Sequence, residues 1–194
     1  MNLGDLLISK VRVKLLEIFF ADPQELFFVR DLVRKTGEEI NAVRRELAHL
    51  ELVGLLKKEP RGNRLYYWLN KNYSFYPELL RMIAKSVGLG AEIIKNRQRI
   101  GRISQVMFSG KFAKKEERGT EDVDALVVGE VVLPELAALI KAEEEKSGKE
   151  INYTVMSSEE FLFRKRRRDP FLLRILEGER IMIIGEEEAL VKVA

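Results

Sequence analysis

Cysteine is absent from the 194 residues, and histidine occurs once, as His49. The first absence excludes disulfides, thiolate catalysis and every zinc site built on cysteine pairs. The second excludes a multi-histidine metal site, so any metal must be held mainly by carboxylate oxygens, which favours magnesium or manganese. No run approaches the roughly 18 apolar residues of a membrane span, and Met1-Asn2-Leu3-Gly4-Asp5 lacks the basic stretch and apolar core of a secretory leader. A soluble cytoplasmic protein with no membrane partner is expected. Also missing are a glycine-rich dinucleotide motif, a Walker loop and a Ser/His/Asp set. What is present is ordinary globular material, with 46% hydrophobic and 34% charged residues, so the chain has a core and is long enough for two modest domains.

The net charge of +3 conceals an asymmetry. Residues 1–100 carry 18 Lys+Arg against 12 Asp+Glu, whereas residues 101–194 carry 16 against 19. A basic front end is the electrostatic footprint of a nucleic-acid binder, because neutralised phosphates release their counterions. Leu7, Val11, Leu15 and Ile18 recur at helical spacing until Asp22-Pro23, which predicts a first helix to about Ala21. Residues 26–29 are β-prone, and a second helix over 30–35 ends at Thr36-Gly37. In a third helix, Ile40, Val43, Leu47 and Leu50 form one apolar stripe and leave Asn41, Arg44, Arg45 and His49 outside it. After Gly54 the period changes: residues 55–59 and 64–69 read as a hairpin around the basic tip Pro60-Arg61-Gly62-Asn63.

Three helices, the last two joined by a glycine turn, and a hairpin make a winged helix-turn-helix. The stretch Asn41-Ala42-Val43-Arg44-Arg45-Glu46-Leu47, leading into Leu50-Glu51-Leu52-Val53-Gly54-Leu55-Leu56, resembles the ArsR- and MarR-like winged-helix regulators. The resemblance covers about the first 70 residues. It implies double-stranded DNA as partner, base reading by Asn41, Arg44 and Arg45, and wing contacts by Arg61, Asn63 and Arg64. His49 is read as a surface or capping residue.

Residues 73–102 form a connector in which Pro77 starts a helix and Gly88-Leu89-Gly90 divides it from a second. Beyond it, Ile103–Phe108 is read as a strand, Ser109-Gly110 as a turn, residues up to Thr120 as a polar loop and Glu121–Gly129 as a second strand. On a strand, Asp122 and Asp124 project to one side about 7 Å apart, close enough to share a hard cation. Residues 133–146 form an amphipathic helix and 150–156 a third strand. Ser157-Ser158-Glu159-Glu160 starts a helix through the solvated basic run Arg164–Arg168. A short helix over 170–177 and a strand over 180–184 follow.

Phe108-Ser109-Gly110 and Asp122-Val123-Asp124-Ala125-Leu126-Val127-Val128-Gly129 resemble the nucleotidyltransferase superfamily typified by DNA polymerase beta, in its minimal form fused behind a winged helix. Lys85-Ser86-Val87-Gly88-Leu89, Glu150-Ile151-Asn152-Tyr153 and Glu159-Glu160-Phe161 add to the likeness. It implies magnesium held by Asp122 and Asp124, and a nucleoside triphosphate held by Ser109, Gly110 and Lys114. The departures are that Gly-Ser is inverted to Ser109-Gly110, that Lys114 stands in place of an arginine and Glu121 in place of a serine before the first aspartate, and that residues 150–156 offer Asn152, Tyr153 and Thr154 but no aspartate as third carboxylate, with Glu150 the only substitute. Catalysis is therefore expected to be impaired or absent, with no catalytic residue assigned.

The expected architecture is α+β: a winged helix over 1–72, a helical connector over 73–102, and a nucleotidyltransferase-like domain with a small mixed sheet over 103–194. The expected function is sequence-specific transcriptional regulation, with the back half sensing a ligand or binding a protein. The alternatives are an active nucleotidyltransferase modifying a protein or RNA, and an antitoxin-like interaction protein. Because one winged helix reads only a few base pairs, a homodimer is expected, joined through the first helix and the stretch 73–94.

Overall fold

The computed structural model describes residues 9–191 and is mixed α+β, with ten helices and two small sheets among those residues. Leu7 of the expected first-helix pattern lies outside the described residues. The chain divides into two compact units, Met1–Ser86 and Val87–Ala194. The stretch expected as a connector is thus shared between them.

In the first unit, helix α1 (Lys10–Ala21) starts at Ser9, whose Oγ accepts from the Arg12 N–H, and stops before Pro23. Its residues Leu15, Leu16, Phe19 and Phe20 are buried. Strand β1 (Phe27–Phe28) is two residues long and leads into α2 (Val29–Thr36). Gly37 closes α2 in the left-handed region, φ 68°, where a side chain would be strained. The resulting turn aims α3 (Ile40–Leu52) across the other helices, with Val43, Leu47 and Leu50 inward. Polar bonds fix the docking: Glu46 of α3 accepts from Ser9 Oγ and from Arg12 Nε, both at 2.8 Å. Leu15, Phe27, Leu32, Val43 and Leu47 are all fully buried, and Phe19 meets Phe27 edge-to-face at 5.4 Å.

Strands β2 (Leu56–Arg61) and β3 (Arg64–Leu69) form the hairpin, and the sheet order is β1-β3-β2. The turn is tighter than expected, only Gly62-Asn63, because Pro60 and Arg61 pair with Leu65 and Arg64 in the ladder. As the edge strand, β2 can carry a proline without losing a needed hydrogen bond. Helix α4 (Tyr76–Ser86) completes the unit, with Tyr76 stacked on Phe20 of α1 at 5.5 Å.

The second unit opens with α5 (Gly88–Lys95). The break between the two helices falls at Val87 rather than at Gly88-Leu89-Gly90, since Val87 is extended and both glycines lie inside α5. Strand β4 (Gly101–Ser109), helix α6 (Gly110–Ala113), strand β5 (Ala125–Val131), helix α7 (Leu133–Ser147) and strand β6 (Tyr153–Met156) follow. Helices α8 (Ser158–Arg166) and α9 (Pro170–Glu177), strand β7 (Arg180–Ile184) and helix α10 (Glu187–Val191) complete it. The sheet order is β6-β5-β4-β7; only the β5–β6 pair is parallel, which makes the sheet mixed. Residues Ala125–Gly129 are buried without alternation, as expected of a strand covered on both faces. Leu126 and Val128 pack with Met107, Met156, Phe161, Leu172 and Leu190. The capping reading at Ser157 agrees with the structure, where its Oγ accepts from the Glu160 N–H at 3.0 Å.

Candidate functional site

Two groups of residues carry chemistry. The first is in the N-terminal unit. On α3, Asn41, Arg44 and Arg45 are exposed at i, i+3 and i+4, opposite the buried Val43, Leu47 and Leu50, so they share one solvent-facing stripe. Among the described residues their side chains make no hydrogen bond or ion pair. Glu39 caps α3, accepting from the Asn41 and Ala42 N–H groups at 2.8 and 3.0 Å. Those two backbone bonds hold its carboxyl below the usual range, helped by Arg45 and Arg44. His49 is exposed and follows the same helix.

The hairpin arginines are organised differently. Arg61 pairs with Glu59 and lies over the Tyr66 ring at 5.7 Å, while Arg64 lies over Phe28 at 4.8 Å. Asn63 is exposed at the turn. Phe28 and Tyr66 are themselves edge-to-face at 5.8 Å. A guanidinium held over a ring can keep several N–H donors open.

The second group surrounds the start of β5. Asp122 and Asp124 lie in the loop before β5, not on the strand, so the period-2 argument for a shared cation does not apply. Asp122 accepts from Lys111 Nζ at 2.9 Å and from the Gly119 N–H at 2.8 Å, which hold its carboxyl below the usual range. Asp124 is 1% exposed and pairs with Arg118, and it accepts from the Asn152 N–H at 2.9 Å. Its other oxygen, Oδ1, is buried with no hydrogen-bond partner among the described residues. Arg118 also donates to the Glu150 carbonyl at 3.2 Å and lies over Phe112 at 5.3 Å. Thus Glu150 contributes its backbone, and Asn152 uses its amide to bond Thr120 O at 3.2 Å.

The triphosphate residues are likewise engaged. Ser109 Oγ caps the four-residue α6, accepting from the Phe112 N–H. The Gly110 N–H donates to Glu179 O at 2.6 Å, and a Cβ on Gly110 would lie 2.7 Å from Glu179 Cβ. Glycine is needed there for the approach of two backbones. Lys114 pairs with Glu179. A cavity of about 390 Å³ adjoins Gly110, Asp122, Phe171 and Ile175. Its charged rim is Glu116, Glu121, Asp122 and Glu179 against Lys111 and Arg174, an acidic excess that disfavours a triphosphate.

This donor set does not fit a pair of magnesium ions. Each aspartate is already neutralised by a cation of its own chain, and among the described residues no three His, Asp or Glu side chains stand close enough to hold a metal. Sequence reasoning missed Arg118, since nothing in the charged run 114–118 marks one member as buried. It also read Arg164–Arg168 as wholly solvated, whereas Lys165 is buried and donates to Leu190 O at 2.7 Å. Desolvation there pushes its amine below the usual lysine range. No helix among the described residues is long and apolar enough to cross a membrane. No protein-family model, curated protein or solved structure matches this chain.

Proposed function

We propose that this protein is a sequence-specific, double-stranded-DNA-binding transcriptional regulator of the winged-helix kind. The observation that carries the reading is the stripe Asn41, Arg44 and Arg45 on α3, whose exposed side chains make no hydrogen bond or ion pair among the described residues. Arginine presents a planar fork that matches guanine O6 and N7, and asparagine matches adenine N6 and N7, so such a stripe on a helix laid in the major groove reads bases. Arg61, Asn63 and Arg64 at the hairpin end supply contacts to the flanking backbone or minor groove. The C-terminal unit acts in this reading as a ligand-sensing or protein-binding module. The pairing of Asp122 with Lys111 and of Asp124 with Arg118 supports that role over transfer chemistry.

Anisotropy titrations against duplex fragments at two salt concentrations test the proposal. A preferred site should emerge, and Arg44→Ala or Arg45→Ala should each cost about 1–3 kcal/mol on that site and relax its sequence preference. Equal affinity for every duplex would sink the claim of sequence specificity.

A further inference from the structure

The outer face of the three-stranded sheet carries a second chemistry. Register places Phe28, Tyr66 and Glu59 in one cross-strand row and Trp68 with Lys57 in the next, while Tyr67 and Phe27 face the core. Alternation therefore lines up three half-buried rings, Phe28, Tyr66 and Trp68, on the outward side. Arg64 and Arg61 already cover the first two. Among the described residues no cation lies over Trp68. Instead it lines a cavity of about 420 Å³, edged by Lys57, Arg61, Lys71, Gln24 and Asn72.

We infer that this face binds single-stranded nucleic acid, with one unpaired base stacked on Trp68 in the cavity and the adjoining phosphates on Lys57 and Lys71. The inference goes beyond duplex reading by α3 and uses different residues at its centre. Three features commit it to this occupant. Among the described residues the amines of Lys57 and Lys71, the indole N–H and the side-chain amides of Gln24 and Asn72 make no hydrogen bond or ion pair, so the cavity offers cations, donors and acceptors beside a π-surface. Charge is complementary: Lys57, Arg61 and Lys71 stand against the single acid Glu59, which Arg61 holds. Length matters too, because Lys57 to Arg61 spans about 13 Å of strand, long enough for an extended strand to lie along it. An acidic peptide would satisfy the lysines through its carboxylates but bring no base to stack on the indole. Stacking on an aromatic ring is tolerant of base identity, since every base has a π-face.

Trp68 is the only tryptophan of the chain, so the full-length protein carries its own probe. Titration with short oligothymidylate or oligouridylate should quench and shift its emission saturably, and a duplex of equal length should do so less. Lys57→Ala and Lys71→Ala, both at the surface, should each weaken binding and flatten the single-strand salt slope by about 0.7. Trp68→Leu, followed by anisotropy of a labelled strand, should weaken binding roughly 5- to 150-fold, the equivalent of one lost base stack. Arg44→Ala should lower duplex affinity and leave the Trp68 signal intact, which separates this inference from the duplex reading. The inference is overturned by an emission that no strand changes, by polyglutamate quenching as well as the oligonucleotide, or by thymidine monophosphate binding as tightly as the strand.

Discussion

Asp124 shows how much one side chain can depend on a partner. A carboxylate with 1% exposure has lost its water, and Arg118, whose side chain is 18% exposed, supplies the compensating charge. The Asn152 N–H adds a second contact to the same oxygen. Removing one member of a buried pair leaves an uncompensated charge, which is costlier than never having had the pair. Arg118→Met should therefore destabilise the second unit by about 3 kcal/mol, read as a lowered urea midpoint. Asp124→Asn should cost less, because its amide oxygen can still accept from Asn152 and Arg118 retains a route to solvent. Added magnesium should leave the wild-type midpoint unmoved. A midpoint raised by magnesium, or an Arg118→Met midpoint equal to wild type, would show that Arg118 is not the counter-ion of Asp124.

Helix α3 gains its start from a single exposed carboxylate. The two N–H bonds to Glu39 favour its ionised form in the folded chain, so its pKa is lower folded than unfolded. The contribution to stability is thus complete above the unfolded carboxylate pKa and is lost as pH falls through the lowered folded value. Asp122, held by Lys111 and the Gly119 N–H, has the same sign in the second unit. Glu39→Gln keeps an acceptor at the cap and removes the charge. Its denaturation midpoint should fall below wild type at neutral pH and converge on it in acid, and duplex affinity should drop with it, since Asn41 sits in the first turn of α3. Midpoints that stay parallel across the acid range would show that the cap charge does not stabilise the helix.

The molecule divides into a basic, helix-and-hairpin unit and a mixed-sheet unit. Leu15, Phe19 and Phe20 of α1, Tyr76, Leu80 and Ile83 of α4, and Leu89 and Ile93 of α5 are buried within the chain. These are the helices on which the sequence placed a dimer interface. Exposed apolar residues remain at Leu52, with 82% exposure, and Val53 beside it, at Phe75 and Ile94 within the stretch 73–94, and at Val132, Leu133, Tyr153, Leu162 and Phe163 of the second unit. On the proposed duplex reading, one α3 stripe would contact too few base pairs to stand out from a genome, because each wrong base costs only about 1–3 kcal/mol. Two copies on DNA are therefore predicted, at half-sites about one helical turn apart. Sedimentation with a preferred duplex should report two 22.4 kDa chains per site, and Leu52→Glu should reduce that to one. A single chain bound at full specificity would remove the dimer from the functional reading.

The α+β class and most element positions were legible from local chemistry alone. The apolar stripe of α3, the turn at Gly37, the stop at Pro23 and the cap at Ser157 each depend on residues close together along the chain, which periodicity and capping rules capture. The exposed Asn41, Arg44 and Arg45 stripe was legible for the same reason, since a buried stripe on a helix determines the opposite one. The roles of Asp122 and Asp124 were not. Their partners Lys111, Arg118 and Asn152 lie 6 to 28 positions away, and only the folding of the charged loop against β5 and the segment before β6 decided that arginine and lysine would meet them. The burial of Lys165 against Leu190, 25 residues on, was settled in the same way. Trp68 stands between these cases: alternation along β3 put it on the side of Tyr66, but the register with β1 and β2 decided that this side faces outward. Local order follows from bonds that neighbours in the chain make, whereas the fate of a charge or a ring follows from what distant segments bring to it.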